Sequence, residues 1–474
     1  MKKYILLFIC TLALCSSCED WFDVEPRTEI KEDNLFKNEN GYFDALVGVY
    51  TIMGRQSLYG DQLTMSLLDG IIQNYYIISS AHPLYYIAQR DYTNTNLRPT
   101  IDAIWEDLYE AVANANNILE HLDNCNPNIF TGNNYNIIKG EALAQRAFLH
   151  FDLLRLFGPS FVMDKTRPCI PYVTLLSKEN TPYSSPEEVV RLCLQDLGEA
   201  EKLLADDPIR DSNGNDSENI YLMNRTCRLN LYAVKALMAR IYHYAGEKAN
   251  ALHYARELIN NEDLQLTSNL TNVKSDRLFS QELLFALFVD NMADWVDDHF
   301  GTANSGYDYL QYEPFLDEVF EKNIGLGIDI RQTELFNNNN TVCKLNKYLM
   351  NSTDAYSSKY RIPMIRLSEA YYIAAENTDN LEEAEQWLNK VRAARGLENR
   401  PFTSFEDVKT YLTNEYRREF WGEGQAFFRY KWLNANQLTG YYTTISLEGI
   451  QEETYILPLP EQEEQYGGST TENQ

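Results

Sequence analysis

The chain has 474 residues, of which 44% are hydrophobic and 23% charged, and it carries a formal net charge of −28. Such a composition argues for a folded chain with a sizeable core. The surplus of acid repels phosphate and argues against a nucleic-acid function, and it disfavours polyanionic ligands except through a local basic patch.

Lys2 and Lys3 precede an apolar run from Tyr4 to Leu14, within the range of a secretory signal and too short to span a bilayer. Ser16 and Ser17 lead into Cys18, an arrangement that resembles a bacterial lipobox, with Cys15 standing where leucine is usual. Residues 1–17 are therefore expected to be a lipoprotein signal peptide and Cys18 the lipidated first mature residue; the alternative is a secreted protein cut by the general signal peptidase. Acyl chains add about 0.8 kcal/mol per buried methylene, so several chains anchor where one does not. Glu19 and Asp20 resemble signals that send some Gram-negative lipoproteins to the outer face of the outer membrane. The expected location is thus the outer membrane, lipid-anchored, at the cell surface.

Beyond this segment helical periodicity dominates. In Ile101 to Leu122, residues Ile104, Leu108, Ala111, Ala115, Ile118, Leu119 and Leu122 fall at threes and fours, the spacing of one buried stripe. Gly140 to Phe157 forms the next helix and stops at Gly158-Pro159. Ser185, Pro186, Glu187 and Glu188 open another with a cap, a first-turn proline and early acids. Leu229 to Asn260 reads as two helices hinged at Gly246, with Ala239, Tyr242, Ala251 and Ala255 where a tetratricopeptide repeat places packing residues. Ile365 to Leu397 repeats that shape, turning at Thr378 to Asn380 and stacking Ala384, Leu388 and Val391. The expected fold is all-α, a scaffold of tetratricopeptide-like hairpins that bury their faces by stacking, with long irregular loops carrying the ligand surface. The expected divisions are residues 18–225, a helix pair within 226–270, and a C-terminal region 271–474 containing the pair at 365–397. Asp61 to Arg98 and Asp290 to Tyr312 lack helical period, and Asn337 to Asn340 reads as a polar turn. Long loops within a compact domain commonly carry function.

No catalytic constellation stands out. The six histidines include no HExxH pair, and there is no GxSxG elbow, P-loop or GxGxxG fingerprint. His150, inside a helix, is expected to be structural. Cys125, Cys169, Cys193, Cys227 and Cys343 show no CxxC spacing, so buried free thiols are expected, with one or two disulfides left open. Asp294, Asp297 and Asp298 lack the alternating ligands and central glycine of a calcium loop and are expected to be solvated. The expectation is no enzyme, no cofactor and no metal.

Aromatic content is the remaining signal, with 33 Tyr and 6 Trp. Sugars present apolar C–H faces and hydroxyl edges, which suit exposed rings beside amides, acids and guanidiniums. Two segments offer that mixture, and they nominate Tyr75, Tyr76, Tyr85, Tyr86, Trp295, Tyr307 and Tyr309 as ligand-binding candidates. For each ring alone, a place in the core is the competing reading.

The order of the lipobox, Asp20 to Pro26, Gly41 to Tyr50, GEALAQRAFLHFDLLRLFGP, YAVKALMARIYHYAG, RLSEAYYIAAEN with LNKVRAARGL, Asn414 to Gly424 and Ile456 to Glu461 resembles the SusD/RagB family of outer-membrane lipoproteins. The resemblance covers essentially the whole mature chain. It implies a helical tetratricopeptide scaffold without a catalytic centre, seated on a SusC-like TonB-dependent transporter and capturing glycan for import. Some members bind peptides, so a RagB-type peptide-uptake lipoprotein is the alternative, as is a tetratricopeptide adaptor without a small ligand.

Overall fold

The computed structural model describes residues 32–466 apart from 178–179, 212, 214, 216, 268–269, 302–307, 325, 340 and 442–443. Cys18 and Tyr307 lie outside the described residues. The architecture is mostly helical, with four small antiparallel sheets among the described residues.

Helix α1 (Glu39–Met53) is capped by Asn38, whose side chain accepts from the Gly41 N–H. Helix α2 (Arg98–Asn124) buries the expected stripe, from Ile101 and Ile104 through Leu122. Helix α3 (Asn134–Phe157) begins earlier than the expected Gly140 and is buried on nearly all sides, because α1, α2 and α4 (Pro186–Leu203) pack around it. Its polar side chains therefore need internal partners. Arg146 donates to both oxygens of Asp196 at 2.7 Å. Buried His150 accepts the Val173 N–H at Nε2 and holds the Arg146 carbonyl with Nδ1, both at 2.9 Å. Burial pushes its pKa down to about 3, so it stays neutral. The Ser185 cap and first-turn Pro186 of α4 are present as expected.

The expected hairpins form from α5 (Leu231–Tyr244) with α6 (Lys248–Ile259) and from α8 (Leu367–Asn377) with α9 (Leu381–Ala394), while α7 (Ala293–Phe300) lies between them in the chain. Gly246 turns the first hairpin at φ +74°, a conformation that glycine adopts without strain. Ala239, Ala251 and Ala255 pack with Ile373 and Ala374, so small residues at the repeat positions let α5 and α6 approach α8. Arg240 locks the same contact, its guanidinium meeting Glu369 at 2.8 and 2.6 Å.

Two of the four sheets organise the middle of the chain, with strands β1 (Leu283–Phe288), β2 (Leu310–Tyr312), β3 (Phe336–Asn339), β4 (Val342–Leu345) and β5 (Arg361–Arg366). Strand β1 pairs with β5 antiparallel, from Leu283 opposite Arg366 to Phe288 opposite Arg361. Strand β4 is central between β2 and β3. Two expectations change here. Ile365 belongs to β5, so α8 starts at Leu367, and Asn337 to Asn339 is strand because each residue finds a ladder partner on β4.

The core also holds charge. Helix α10 (Phe405–Glu419) and the turn that follows it present Glu415, Glu419 and Glu423, all buried. Arg331 reaches Glu415 and Glu419 at 2.6 Å, Arg366 reaches Glu419 at 2.5 Å, and Arg395 bridges Glu419 to both oxygens of Glu282 at 2.8 Å. Lys347 pairs with Glu423. Buried charge is tolerated only when fully paired, and this network supplies the pairing by bringing Glu282, Arg331, Lys347, Arg366 and Arg395 to the 415–423 stretch.

Candidate functional site

The extended backbone of β2 sends alternate side chains to opposite sides. Gln311 and Tyr309 turn inward, whereas Leu310 and Tyr312 are half-buried toward the surface. The segment around Tyr76 is stitched beside this strand: the Tyr76 N–H donates to the Leu310 carbonyl at 2.8 Å, and Gln311 Nε2 donates to the Asn74 carbonyl at 3.3 Å. Neighbouring Tyr75 points inward, its ring centre 5.0 Å from that of Tyr309.

Two layers result. The buried layer joins Tyr75, Tyr309, Phe300 and His299, with His299 stacked on Tyr309 at 4.1 Å. Tyr309 also shares a hydrogen bond with Ser66 Oγ at 2.9 Å. Burial raises the phenol pKa of both Tyr75 and Tyr309 well above the ordinary value. The outer layer is a cluster of three half-buried rings. Tyr76 meets Tyr312 edge-on at 4.8 Å and Tyr441 edge-on at 5.7 Å, while Tyr312 and Tyr441 stack at 4.9 Å.

One side chain ties the arms of this cluster together. Arg417 on α10 is buried; its Nε donates to Asn74 Oδ1 at 2.7 Å, Nη2 to the Gln73 and Ile72 carbonyls at 2.9 and 3.3 Å, and Nη1 to the Thr439 carbonyl at 2.8 Å. Thr439 ends one strand of the hairpin that carries Tyr441, so the guanidinium clamps the two backbone arms that present Tyr76 and Tyr441. Beneath it, Asp69 is fully buried and accepts the Gly422 N–H at 2.7 Å; burial raises its pKa to about 7.

The nominated residues divide accordingly. Tyr76 lies in the outer cluster. Tyr75 and Tyr309 are core residues and not surface rings, because each sits on the inward side of its segment and fills the space over Phe300. Tyr85 and Tyr86 are half-buried on the short helix Tyr85–Gln89 and contact each other edge-on at 5.4 Å. Trp295 sits on α7 with 7% exposure, donates from Nε1 to the Gly60 carbonyl at 3.0 Å, and borders a separate cleft. Tyr312, Tyr441 and Arg417 escaped nomination. Tyr312 ends the segment Asp290 to Tyr312 already singled out, whereas Tyr441 and Arg417 lie outside both nominated segments.

The comparisons agree with this architecture. A family model described as "Starch-binding associating with outer membrane" matches residues 20–243, and one described as "SusD family" matches residues 317–463. SusD-like protein P38 of Formosa agariphila is 26% identical over 278 residues, covering 57% of this chain and 48% of that protein. SusD-like protein P2 of the same organism is 24% identical over 58% of this chain and 50% of its own length. The chain thus spans about half the length, or less, of the curated relatives it matches. A SusD superfamily structure from Bacteroides thetaiotaomicron superposes with a TM-score of 0.71 at 23% identity, covering 91% of this chain and 98% of that one. A laminarin-binding SusD-like protein gives 0.63 at 19% identity over 91% and 98%. With one model matching its N-terminal half and a second its C-terminal third, and with the superposed fold extending across both, the chain belongs to the SusD/RagB family.

Proposed function

We propose that this chain is a non-enzymatic glycan-binding lipoprotein of the outer-membrane surface, lipidated at Cys18, that passes oligosaccharide to a SusC-like TonB-dependent transporter. The observation that carries the reading is the surface cluster of Tyr76, Tyr312 and Tyr441, whose rings meet within 4.8 to 5.7 Å from three distant parts of the chain. Aromatic planes that stay partly in water suit the apolar face of a pyranose ring, and hydroxyls at the ring tips suit its edges. The description of the N-terminal family model and the printed ligand of the laminarin-binding neighbour support a carbohydrate as the ligand class. Among the described residues no helix is long and apolar enough to cross a membrane, so membrane attachment in this reading rests on the lipid.

Isothermal titration of the full mature chain against a panel of neutral oligosaccharides tests the binding. Saturable binding of at least one, weakened in Tyr312→Ala and Tyr441→Ala, is expected. Binding of oligopeptides alone would overturn it. Labelling with a palmitate analogue is expected to mark the wild type and leave Cys18→Ala unmarked.

A further inference from the structure

Beside Trp295 of α7 lies a cleft of 770 Å³, bounded by α1, residues 220–228, the end of β1 and residues 356–361. Phe288 and Arg361 are register partners at the last rung of the β1–β5 ladder, so the strand pair delivers an exposed ring and a guanidinium to one place. The Phe288 and Tyr356 rings are 48% and 69% exposed at its rim, a large outlay of aromatic surface to leave in water.

The charge in the cleft runs against that of the protein. Arg361 is 6% exposed; its Nη1 donates to the Tyr356 and Lys359 carbonyls at 2.6 and 3.1 Å, and its guanidinium lies 5.3 Å from the Tyr356 ring centre. Arg228 lies 5.3 Å from the ring centre of Tyr50. Among the described residues neither guanidinium has a carboxylate within ion-pair distance, whereas Arg55 at the same cleft is matched by Asp107 and Glu110 at 2.5 Å. Most buried arginines of this chain face carboxylates, as Arg225, Arg331, Arg366 and Arg395 do. The one acid among the cleft's lining residues is Asp290. A chain with a formal charge of −28 therefore keeps two unmatched cations inside a concave, ring-edged site. Such an arrangement is suited to an anion, since a guanidinium partly out of water gains most from a charged acceptor. The rings and the neighbouring Asn291 and Gln56 amides add the stacking and hydroxyl partners that a sugar uses.

We propose that this cleft is a second binding site, specific for an anionic sugar residue of the glycan, either a uronate or a sulfate ester, held by Arg228 and Arg361 against Phe288 and Tyr356. The inference rests on the glycan-binding reading but not on the tyrosine cluster. It assigns an acidic polysaccharide as the substrate class, and it reconciles such a ligand with an acidic protein by confining the attraction to one cleft.

The test uses the mature chain and three pairs of probes: oligogalacturonate and its methyl ester, oligoalginate and its methyl ester, and a carrageenan oligosaccharide and its desulfated form. Saturable binding of at least one acidic probe is expected, weakened about tenfold or more by neutralising the probe and by Arg228→Gln, and partly restored in Arg228→Lys. The carboxylate and sulfate arms separate the two anions. Arg228 is half-buried, so Arg228→Gln is expected to unfold at the wild-type temperature; Arg361→Gln supplies a second reading. Acidic probes that bind equally after neutralisation or after Arg228→Gln would overturn the site. Neutral oligosaccharides binding while every acidic probe fails would overturn it too, yet leave the glycan-binding reading standing. Silence from all sugars, neutral and acidic, would remove both.

Discussion

The rings of Tyr312 and Tyr441 stack with centres 4.9 Å apart at 25°, one at the end of a strand and the other beside a hairpin turn far along the chain. Neither residue belongs to a motif. Their meeting depends on α10, whose Arg417 holds the hairpin arm, and on the β2–β4 ladder, which holds Tyr312 opposite Val342.

Loss of either ring is expected to weaken a neutral oligosaccharide without unfolding the protein. Tyr312→Ala and Tyr441→Ala remove half-buried side chains, so binding should fall about tenfold or more, roughly 1.4 kcal/mol or above. Calorimetric titration beside a thermal melt checks it, and wild-type affinity in both variants would move the ligand elsewhere.

Arg417 is expected to act at a distance as a positioning residue. Arg417→Met leaves four carbonyl or amide acceptors unmatched, which should cost about 3 kcal/mol or more. The distinguishing readout is hydrogen exchange: amides near residues 72–76 and 437–441 should lose protection together. Protection lost in one arm alone would contradict the clamp.

Glu419 is expected to be among the least replaceable acids in the chain. It receives Arg331, Arg366 and Arg395, and their charges hold its carboxyl well below the ordinary range. Glu419→Gln should destabilise by about 3–5 kcal/mol, because it strands buried cations. In a double-mutant cycle with Arg395→Met the losses should be less than additive. Strict additivity in urea unfolding would count against the network.

His150 gives the fold a pH signature. In the native state burial keeps it neutral down to about pH 3, while in the unfolded chain it takes up a proton near ~6.5. Its folded pKa is depressed, so the stability it contributes is present above that pH and is lost as pH falls toward 3. Urea midpoints of His150→Gln are expected to drop less between pH 7 and pH 4 than those of the wild type; equal drops would show that the residue does not titrate this way.

The elements read most clearly from the chain are those whose evidence is local. The stripe from Ile104 to Leu122, the Ser185 cap, the Gly246 hinge and the repeat alanines all appear where their spacing puts them, because helix periodicity and capping act within a few residues. The candidate rings were half legible. Composition marked the right segments, but whether a tyrosine faces core or water changes between neighbours such as Tyr75 and Tyr76, and that choice belongs to the packing partner.

The stretch Asn414 to Gly424 shows the same division. In the order of residues it is one block of the family resemblance, with Glu415, Glu419 and Glu423 at every fourth position, and the helix it closes ends at Glu419. Only the tertiary structure decided that those acids are buried, because their cations come from Arg331, Arg366 and Arg395, and a carboxylate leaves water only when an opposite charge is already waiting for it. Family membership and a helical scaffold were therefore written in the order of residues, whereas the clamp of Arg417, the tyrosine cluster and the cationic cleft exist only where distant segments meet.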